Sequence, residues 1–486
     1  MTDYIPTIGL EIHAELKTQT KMFCNSKNDP GERRPNVNIC PICLAHPGSL
    51  PTINREAVRQ VLRVGLALNG KLAEYTEFDR KNYFYPDLPK GYQISQYEYP
   101  LVTGGTLNDI AITRVHLEED TASSMHDDQS GMTTIDYNRA GVPLMELVTE
   151  PVIRSSEEAG NVAQELQLLL RYLGASEANM EKGEMRVEAN VSISRTSELG
   201  TKIEIKNLNS FRTMERAIAY EIERQKQLLE DGQKVTQETR GWDDRIQKTF
   251  PQRIKEESAD YRYFPDPDLP SLFISEIAEF NSQELLRLLP ELPASRRSRY
   301  LAIGIKEADA TLFVKEPILG SYFDSVIEAY KADIDAMLLA ANYIANDLVN
   351  LIRESVPKES RDTEKRDTGM YSEIPISGNN FREIIDLLLE KKLSSRAAKD
   401  LLKIAFYEQK SPRELATSMN LLKQEGASLE EAVLKAIESN KRVVSDYKAG
   451  KEAALGFLVG VVMKDLRGAG DPVVIREMLK TKVQPE

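Results

Sequence analysis

The sequence predicts an α+β protein in which an antiparallel sheet is followed by helices. Segments that alternate apolar and polar residues, the pattern of half-buried strands, all fall before residue 293. After the Pro-Glu-Leu-Pro segment 290–293 the periodicity becomes helical. A final section of short helices opens at Ser411-Pro412. We therefore expect an antiparallel-sheet domain over 1–293, an all-helical domain over 294–408 and a small helical tail domain over 409–486.

The composition narrows the class of protein. The chain has 486 residues, 41% of them hydrophobic and 29% charged, as in globular proteins. A net charge of −13 excludes nucleic-acid binding through bulk positive charge, so such binding must use local patches, metal and shape. No signal peptide, membrane-length apolar run, P-loop or dinucleotide glycine pattern is visible. We expect no membrane partner and a cytoplasmic location, with an organelle matrix as the alternative.

The alternation is cleanest over residues 8–17, the first predicted strand. Its apolar positions face one side, and Glu11 and His13 lie together on the other. Their side chains are about 7 Å apart along the strand, a spacing from which a carboxylate and an imidazole can bind one divalent cation. The alternative is the ordinary solvated face of a half-buried strand.

Carboxylates recur on two later predicted strands. The strand over 111–121 ends in three consecutive acids that project to both faces, namely Glu118, Glu119 and Asp120. On the strand within 134–150, Glu146 lies between four apolar residues, where a buried carboxylate needs a compensating cation or hydrogen bonds. A metal ion is one such cation, and a salt bridge to Arg139 or Arg114 is the alternative.

Three cysteines suggest a zinc loop, because Cys40 and Cys43 form a C-x-x-C pair and Cys24 precedes them. Structural zinc takes four ligands, and Ser26 stands where a fourth cysteine would complete a second pair. His46 is a possible substitute. The alternative is a loop that packing holds together without metal.

A segment over 78–96 alternates basic and aromatic residues between stiffening prolines. Aromatic rings stack on bases, and Lys or Arg binds phosphate, so this composition suits a nucleotide ligand. The alternative is a packed Tyr-rich loop, and the segment 261–268 resembles it in composition. The residues that favour a ligand are Arg80, Lys81, Tyr83, Tyr85, Lys90 and Tyr92.

The remaining elements of the first domain are predicted to be structural. Apolar periodicity and capping residues predict helices over 55–68, 155–173 and 210–230. A hairpin is expected over 185–206, with acid, base and amide side chains on its polar face.

With these stretches assembled, the chain resembles the B subunit of the tRNA-dependent amidotransferases, the GatB family. The matching stretches run along almost the whole chain: IGLEIHAELKT, FDRKNYFYPDLPKGYQISQ, ITRVHLEED, DYNRAGVPLMELVTEP, KIEIKNLNSF, DYRYFPDPDLP and VSDYKAGKEAALGFLVG. The resemblance implies a cradle-shaped catalytic domain, a helical domain and a tail domain that binds the tRNA body.

The resemblance also implies partners and chemistry. It implies a heterotrimer in which an amidase, the A subunit, releases ammonia from glutamine, and the C subunit is a small third chain. The B subunit would use ATP and Mg²⁺ to phosphorylate the side-chain carboxylate of Glu-tRNA(Gln) or Asp-tRNA(Asn), after which ammonia displaces phosphate. The metal ligands it implies are Glu11, His13, Glu119 and Glu146.

Other roles at this site are hypotheses. Strict alternation favours Glu118 over Glu119, so the choice of Glu119 depends on the resemblance alone. Phosphate contacts are expected from Lys81, Arg139 and Lys206, and stacking from Tyr83, Tyr85 and Tyr92. Two other functions remain open: a non-catalytic tRNA-binding scaffold, and a stand-alone metal-dependent phosphohydrolase.

Overall fold

The computed structural model describes residues 3–127, 130–254, 261–331, 333–355, 371, 373–422, 427–466 and 470–483. The chain divides into two compact units, Met1–Pro293 and Ala294–Glu486. All the described strands lie in the first unit, and the described part of the second is helical. The predicted α+β class is therefore confirmed.

The strands are β1 (Ile5–Glu15), β2 (Lys71–Leu72), β3 (Tyr75–Thr76), β4 (Asp79–Asn82), β5 (Tyr92–Ser95), β6 (Val102–Thr103), β7 (Thr106–Leu107), β8 (Ile110–Glu119), β9 (Ser123–Asp127), β10 (Met132–Asp136), β11 (Pro143–Thr149), β12 (Met185–Ser194), β13 (Ile203–Leu208), β14 (Glu238–Asp243), β15 (Lys248–Ile254), β16 (Phe264–Pro265) and β17 (Leu272–Phe273). The helices of the same unit are α1 (Arg55–Ala67), α2 (Ser156–Tyr172), α3 (Phe211–Glu230) and α4 (Ser282–Arg287), with 3₁₀ turns at Ile274–Glu276 and Ala278–Phe280.

Ten strands form one sheet, in which nine follow the order β15-β14-β13-β12-β1-β11-β8-β6-β2 and β7 pairs with β8. The neighbours are antiparallel except β13 and β14, which run parallel on either side of the α3 crossover. Three smaller sheets join β9 to β10, β4 to β5 and β16, and β3 to β17. The sheet is therefore mixed, with an antiparallel centre as predicted.

The core lies under one face of this sheet. Ile8, Leu10 and Ile12 of the central strand β1 are fully buried, and α1, α2 and α3 pack near β8, β1 and β12. Each such side chain contributes about 1.5–3 kcal/mol when buried. Since successive side chains of a strand alternate between faces, the opposite face of β1 carries the polar residues.

A β-bulge interrupts the pairing of β11 with β8 between Val148 and Thr149. Beyond this irregularity, the Thr149 hydroxyl accepts a hydrogen bond from the Leu10 backbone N–H at 2.9 Å. The bulge ends the regular alternation of β11, so the acid at Glu150 cannot be assigned to the face of Glu146 by counting residues.

The second unit contains the predicted helical segments. Its helices are α5 (Pro293–Ile303), α6 (Glu307–Lys315), α7 (Pro317–Ile327), α8 (Ile334–Asn342), α9 (Val349–Ser355), α10 (Gly378–Leu389), α11 (Ser395–Glu408), α12 (Pro412–Ser418), α13 (Ala427–Ser439), α14 (Lys441–Lys448), α15 (Glu452–Asp465) and α16 (Pro472–Val483), with a 3₁₀ turn at Glu328–Tyr330 and a π-helical turn at Tyr343–Leu348. A separate apolar cluster joins α13, α15 and α16 through residues such as Val433, Leu458 and Ile475. Across the described ranges, no helix is both long and apolar enough to cross a membrane.

Candidate active site

The register of four neighbouring strands collects polar side chains on one face of the sheet. His13 of β1 is opposite Glu146 of β11 on one side and Arg186 of β12 on the other. Glu146 is in turn opposite His116 of β8. Because directly opposed residues of antiparallel strands point to the same face, these side chains form a continuous polar row.

The centre of this row is a cluster of His13, Glu118 and Glu146. The His13 Nε2 atom lies 3.3 Å from Glu146 Oε2 and 3.5 Å from Glu118 Oε1. The three possible ligand atoms all lie within 4.8 Å of one another. Both carboxylates are buried, and the Ser95 hydroxyl donates to Glu118 at 3.2 Å. One imidazole and two carboxylates at this spacing are a suitable ligand set for a divalent cation.

Protonation and metal binding compete in this cluster. Burial opposes a charged imidazole, but hydrogen bonding and charge from Glu146, together with Glu118, raise the pKa of His13 to about 9. Burial likewise opposes the charged form of Glu146, but His116 and His13 hold its pKa well below the usual range. A cation that took up His13 as a ligand would therefore displace its proton.

His116 extends the cluster. Its Nε2 atom lies 3.3 Å from Glu146 Oε2, and its other ring nitrogen, Nδ1, is buried with no hydrogen-bond partner in the described part of the chain. A second imidazole next to the same carboxylate oxygen stabilises the ionised form of Glu146.

The structure places Glu118, and not Glu119, in this cluster. Adjacent residues of a strand point to opposite faces, so Glu119 turns away from His13. Its carboxylate accepts hydrogen bonds from Lys90 Nζ at 2.6 Å and from the Ile94 backbone N–H at 3.0 Å. Glu119 thus connects β8 to the loop and strand that precede it in sequence. The geometry therefore favours Glu118 as a member of this cluster, as strict alternation indicated, while the metal-ligand role of Glu119 implied by the resemblance stays a prediction.

Glu11 belongs to a neighbouring acidic group. Its carboxylate lies within 4.8 Å of those of Glu188 and Glu204, and Asn190 Nδ2 donates to it at 2.8 Å. Lys206 Nζ lies 2.9 Å from both carboxylate oxygens of Glu188 and 3.7 Å from Glu204. Lys206, predicted to bind phosphate, is therefore paired with two carboxylates of this group.

The predicted aromatic-basic segment contributes Lys81 and Tyr83 near the cluster. Although burial opposes its charge, nearby Glu118, Tyr263 and Glu146 raise the pKa of Lys81. Its Nζ atom lies 5.1 Å from the centre of the Tyr261 ring. Tyr83 packs against Tyr261 with ring centres 5.9 Å apart. The segments 78–96 and 261–268, noted separately in the sequence, therefore meet beside the carboxylates.

Other members of the segment are more exposed or bound elsewhere. Tyr85 is 62% exposed and lies beside Tyr83, with ring centres 6.1 Å apart, so its face is available to a ligand. Tyr92 lies under the Arg80 guanidinium, 4.3 Å from its ring centre. Stacking by Tyr92 would therefore compete with this cation–π contact.

Arg139 and Arg186 converge on Asp120, which directly follows β8. Arg139 donates from Nε and Nη2 to the backbone carbonyls of Thr121 and Ala122, both at 3.0 Å, and its Nε lies 3.6 Å from Asp120. Arg186 Nη2 donates to Asp120 Oδ2 at 2.9 Å. Neither Arg139 nor Arg114 is among the described salt-bridge partners of Glu146, whose ionic neighbours are the two histidines.

The three cysteines also converge. Their sulfur atoms lie within 4.8 Å of one another, and Ser26 Oγ is 3.8 Å from Cys43 Sγ. A hydrogen bond from Cys24 is the largest of the effects that lower the pKa of the Cys43 thiol to about 4. His46 lies outside this sulfur cluster. The arrangement is a possible metal site with three thiol ligands and a neighbouring hydroxyl.

Several residues of the polar face received no role from sequence. They are His116, Arg186, Glu188 and Glu204, each on the polar side of a predicted or neighbouring strand. The signal was the alternation itself, which gives the face of each side chain. It does not say which strands lie next to β1, and without that order the clusters could not be assembled.

Comparison with known proteins identifies the family to which the chain belongs. Residues 6–278 match the model of the GatB/GatE catalytic domain, and residues 321–483 match that of the GatB domain. Three similar proteins, each named as the B subunit of an aspartyl/glutamyl-tRNA(Asn/Gln) amidotransferase, come from Carboxydothermus hydrogenoformans, Thermus thermophilus and Thermotoga maritima. They are 40%, 43% and 39% identical to the chain, with at least 98% of each sequence covered. The chain therefore belongs to the GatB family.

Proposed function

We propose that this chain is the B subunit of a tRNA-dependent amidotransferase. In this function it activates the side-chain carboxylate of Glu-tRNA(Gln), Asp-tRNA(Asn) or both, by phosphorylation from ATP, for amidation by ammonia. The observation that carries the proposal is the cluster of His13, Glu118 and Glu146 beside Lys81 and Tyr83. A buried acid–imidazole cluster that adjoins a cation, half-buried Tyr83 and exposed Tyr85 suits a metal–nucleotide substrate.

The donor set fits a magnesium ion at the cluster. His13, Glu118 and Glu146 would hold it, since their ligand atoms already converge within 4.8 Å. Glu11, assigned to the same metal by the resemblance, would contribute from the adjacent group. When bound, the ion would neutralise charge that develops on the transferred phosphoryl oxygens.

The protein's own groups would position the two substrates. Lys81 supplies a cation next to the carboxylates, where it would bind a phosphate oxygen of ATP. Tyr83 and the exposed Tyr85 would stack on the adenine of ATP or on the terminal adenosine of tRNA. Arg139 and Lys206 are predicted from the sequence to bind phosphate. To do so, Arg139 would have to break its hydrogen bonds to backbone carbonyls, and Lys206 its pairing with two carboxylates.

We also propose that the chain acts in a complex, in the cytoplasm. The sequence contains no Ser-Lys amidase motif, so ammonia has to come from a separate amidase, the A subunit, with the small C subunit completing a heterotrimer. The tail domain over 409–486 would bind the tRNA body. The three-cysteine cluster would hold zinc in a structural role, with Ser26 or water as the fourth ligand.

The test uses the assembled complex of this chain with its A and C subunits. Glutaminase activity and ATP-dependent conversion of Glu-tRNA to Gln-tRNA are measured for wild type and Glu146→Gln. We expect the variant to deaminate glutamine normally and to lose amidation by at least about 100-fold, because one carboxylate of the cluster becomes neutral.

Glu150→Gln is the matched control, because Glu150 accepts a hydrogen bond from Thr113 at 2.8 Å and lies outside the metal-ligand groups. Amidation near the wild-type rate in Glu146→Gln would support the non-catalytic scaffold instead. ATP hydrolysis by the isolated chain, without partners or charged tRNA, would support a stand-alone phosphohydrolase.

A further inference from the structure

The proposed function does not yet say which residue of the polar face binds the carboxylate that is to be phosphorylated. The face is itself rich in carboxylates, and an incoming carboxylate needs a cation with unused donors. Lys206 is paired with Glu188 and Glu204, Lys90 with Glu119, and the Nε and Nη2 groups of Arg139 are bonded to backbone carbonyls. These three cations are thus largely occupied by the protein.

Arg186 differs from them. It donates one hydrogen bond, from Nη2 to Asp120, and its other N–H groups have no hydrogen-bond acceptor among the residues that the structure describes. Its side chain is 34% exposed, whereas that of Asp120 is 4% exposed. A guanidinium has five N–H donors, so an accessible, directional donor set remains.

The position of Arg186 is also fixed. Asp120 Oδ1 accepts a hydrogen bond from the Thr121 backbone N–H at 2.8 Å, while Asp120 Oδ2 accepts one from Arg186 Nη2. Arg186 lies opposite His13 in the pairing of β12 with β1. Although burial opposes its charge, Asp120, and then Glu15 and Glu118, raise the pKa of Arg186. The guanidinium is therefore held in advance beside the cluster that the proposed function assigns to metal and phosphate.

The charge of the pair indicates which anion it suits. Asp120 neutralises much of the Arg186 charge, which disfavours a polyphosphate with several negative charges. A single carboxylate instead gains from two directional N–H donors in a plane, the geometry that arginine offers. Lys81, which enters from the aromatic segment, is the better partner for phosphate.

We propose that Arg186, held by Asp120, binds the side-chain carboxylate of the aminoacyl group on tRNA and so positions it for phosphorylation. This inference rests on the proposed function and adds to it a residue that recognises the acceptor. It predicts that Arg186 contributes to the preference for charged over uncharged tRNA and leaves ATP binding unaffected.

The experiment measures binding of two tRNA forms to the full complex. One form is tRNA(Gln) carrying glutamate through a stable amide linkage, and the other is uncharged. For Arg186→Gln we expect affinity for the glutamyl form to fall by about 10- to 100-fold, the loss typical of charged hydrogen bonds. Affinity for uncharged tRNA and for ATP with Mg²⁺, and glutaminase activity, should remain within about 2-fold of wild type.

Arg186→Lys is a second variant that separates loss of recognition from misfolding. It keeps a positive charge beside buried Asp120 and removes only the planar set of N–H donors. We expect Arg186→Lys to retain the wild-type melting temperature. The difference in binding free energy between glutamyl and uncharged tRNA should fall to half of its wild-type value or less. Arg195→Gln is the matched control, since Arg195 lies just after β12 and stacks 4.2 Å from the Tyr4 ring centre. It should leave the preference unchanged.

An unchanged preference in both Arg186 variants would overturn the inference, and so would weaker ATP binding with the preference intact. These results differ from a failure of the proposed function, which would appear as absence of ATP-dependent amidation in the wild-type complex. The inference is therefore judged only in a complex that amidates Glu-tRNA.

Discussion

Two ligand-rich clusters of the first unit differ in how they are built. The cluster of His13, Glu118 and Glu146 comes from three adjacent strands, with each residue fixed by hydrogen-bonded register. The three cysteines lie instead on turns and irregular segments between β1 and α1. Strand pairing positions side chains without any ligand, whereas irregular segments have fewer backbone bonds to hold them.

The difference indicates that the two clusters depend on metal in different ways. The sheet cluster is preformed, so a cation would add chemistry to it. The three-cysteine cluster lacks a fourth thiol, so a metal there would add stability that packing alone supplies poorly. The following predictions test this contrast, beginning with the largest expected effect.

The first prediction separates Glu118 from its neighbour Glu119. Glu118→Gln should lower amidation by about 10³-fold and weaken Mn²⁺ binding by at least about 100-fold, because a ligand of the sheet cluster is lost. Glu119→Gln should change Mn²⁺ affinity by less than about 3-fold, since its carboxylate bonds to Lys90 and Ile94. Mn²⁺ titration followed by electron paramagnetic resonance measures both. The reverse ranking would favour Glu119 as the metal ligand.

The second prediction concerns the support beneath the sheet cluster. Ile12 is fully buried between Glu11 and His13 in sequence, on the opposite face of β1. Ile12→Ala should reduce the free energy of unfolding by about 3 kcal/mol through lost burial and a cavity. Ile42 is half-buried in the cysteine region, so Ile42→Ala should reduce the free energy of unfolding by at most about 1 kcal/mol. Chemical denaturation checks the pair, and equal losses would show that the cysteine region is as firmly packed as β1.

The third prediction completes the cysteine cluster. Ser26→Cys should raise zinc affinity by about 10-fold or more, because it places a fourth thiolate where a weakly ligating hydroxyl now lies 3.8 Å from Cys43 Sγ. Competition with a chromophoric chelator measures the affinity, and Ser26→Ala is the control, expected to bind zinc about as the wild type does. If Ser26→Cys binds zinc no more tightly than Ser26→Ala, residue 26 does not reach the metal position; if neither variant nor the wild type binds zinc, the cluster is held by packing without metal.

The fourth prediction has the smallest expected effect. Thr149→Val removes the hydroxyl that accepts the Leu10 N–H at the β-bulge, at nearly constant volume. An unpaired buried N–H should cost about 1–2 kcal/mol of unfolding free energy and leave zinc content unchanged. Thermal unfolding combined with metal analysis checks both. A loss of zinc would mean that the sheet and the cysteine region are not independent.

Much of the sheet face was predictable from local sequence. Alternation assigned Glu11 and His13 to one side of β1, and the apolar neighbours of Glu146 indicated a compensated carboxylate. Alternation also favoured Glu118 over Glu119, and the structure agrees with it. These inferences hold because the side-chain period of a strand is set by the backbone and not by distant contacts.

The composition of each cluster was not predictable in the same way. β1 pairs with β12, and Arg186 follows His13 by 173 residues in the chain (186 minus 13), so only tertiary structure brings the two opposite each other. The compensation of Glu146 by two histidines, and the contact between Tyr83 and Tyr261, likewise depend on long-range pairing. Arg139 illustrates the same limit, since its carbonyl partners in the connection between β8 and β9 leave no trace in hydrophobic periodicity.

The adjacent carboxylates Glu118 and Glu119 have a consequence for evolution of the chain. Glu118 lies in the sheet cluster and Glu119 accepts a hydrogen bond from Lys90, so the two side chains lie on opposite faces of β8. Insertion or deletion of a single residue earlier in β8 would exchange the two environments and spoil both. A change of two residues would preserve the faces but move each acid along the strand by about 7 Å. Length variation in this family should therefore be confined to the connections on either side of β8.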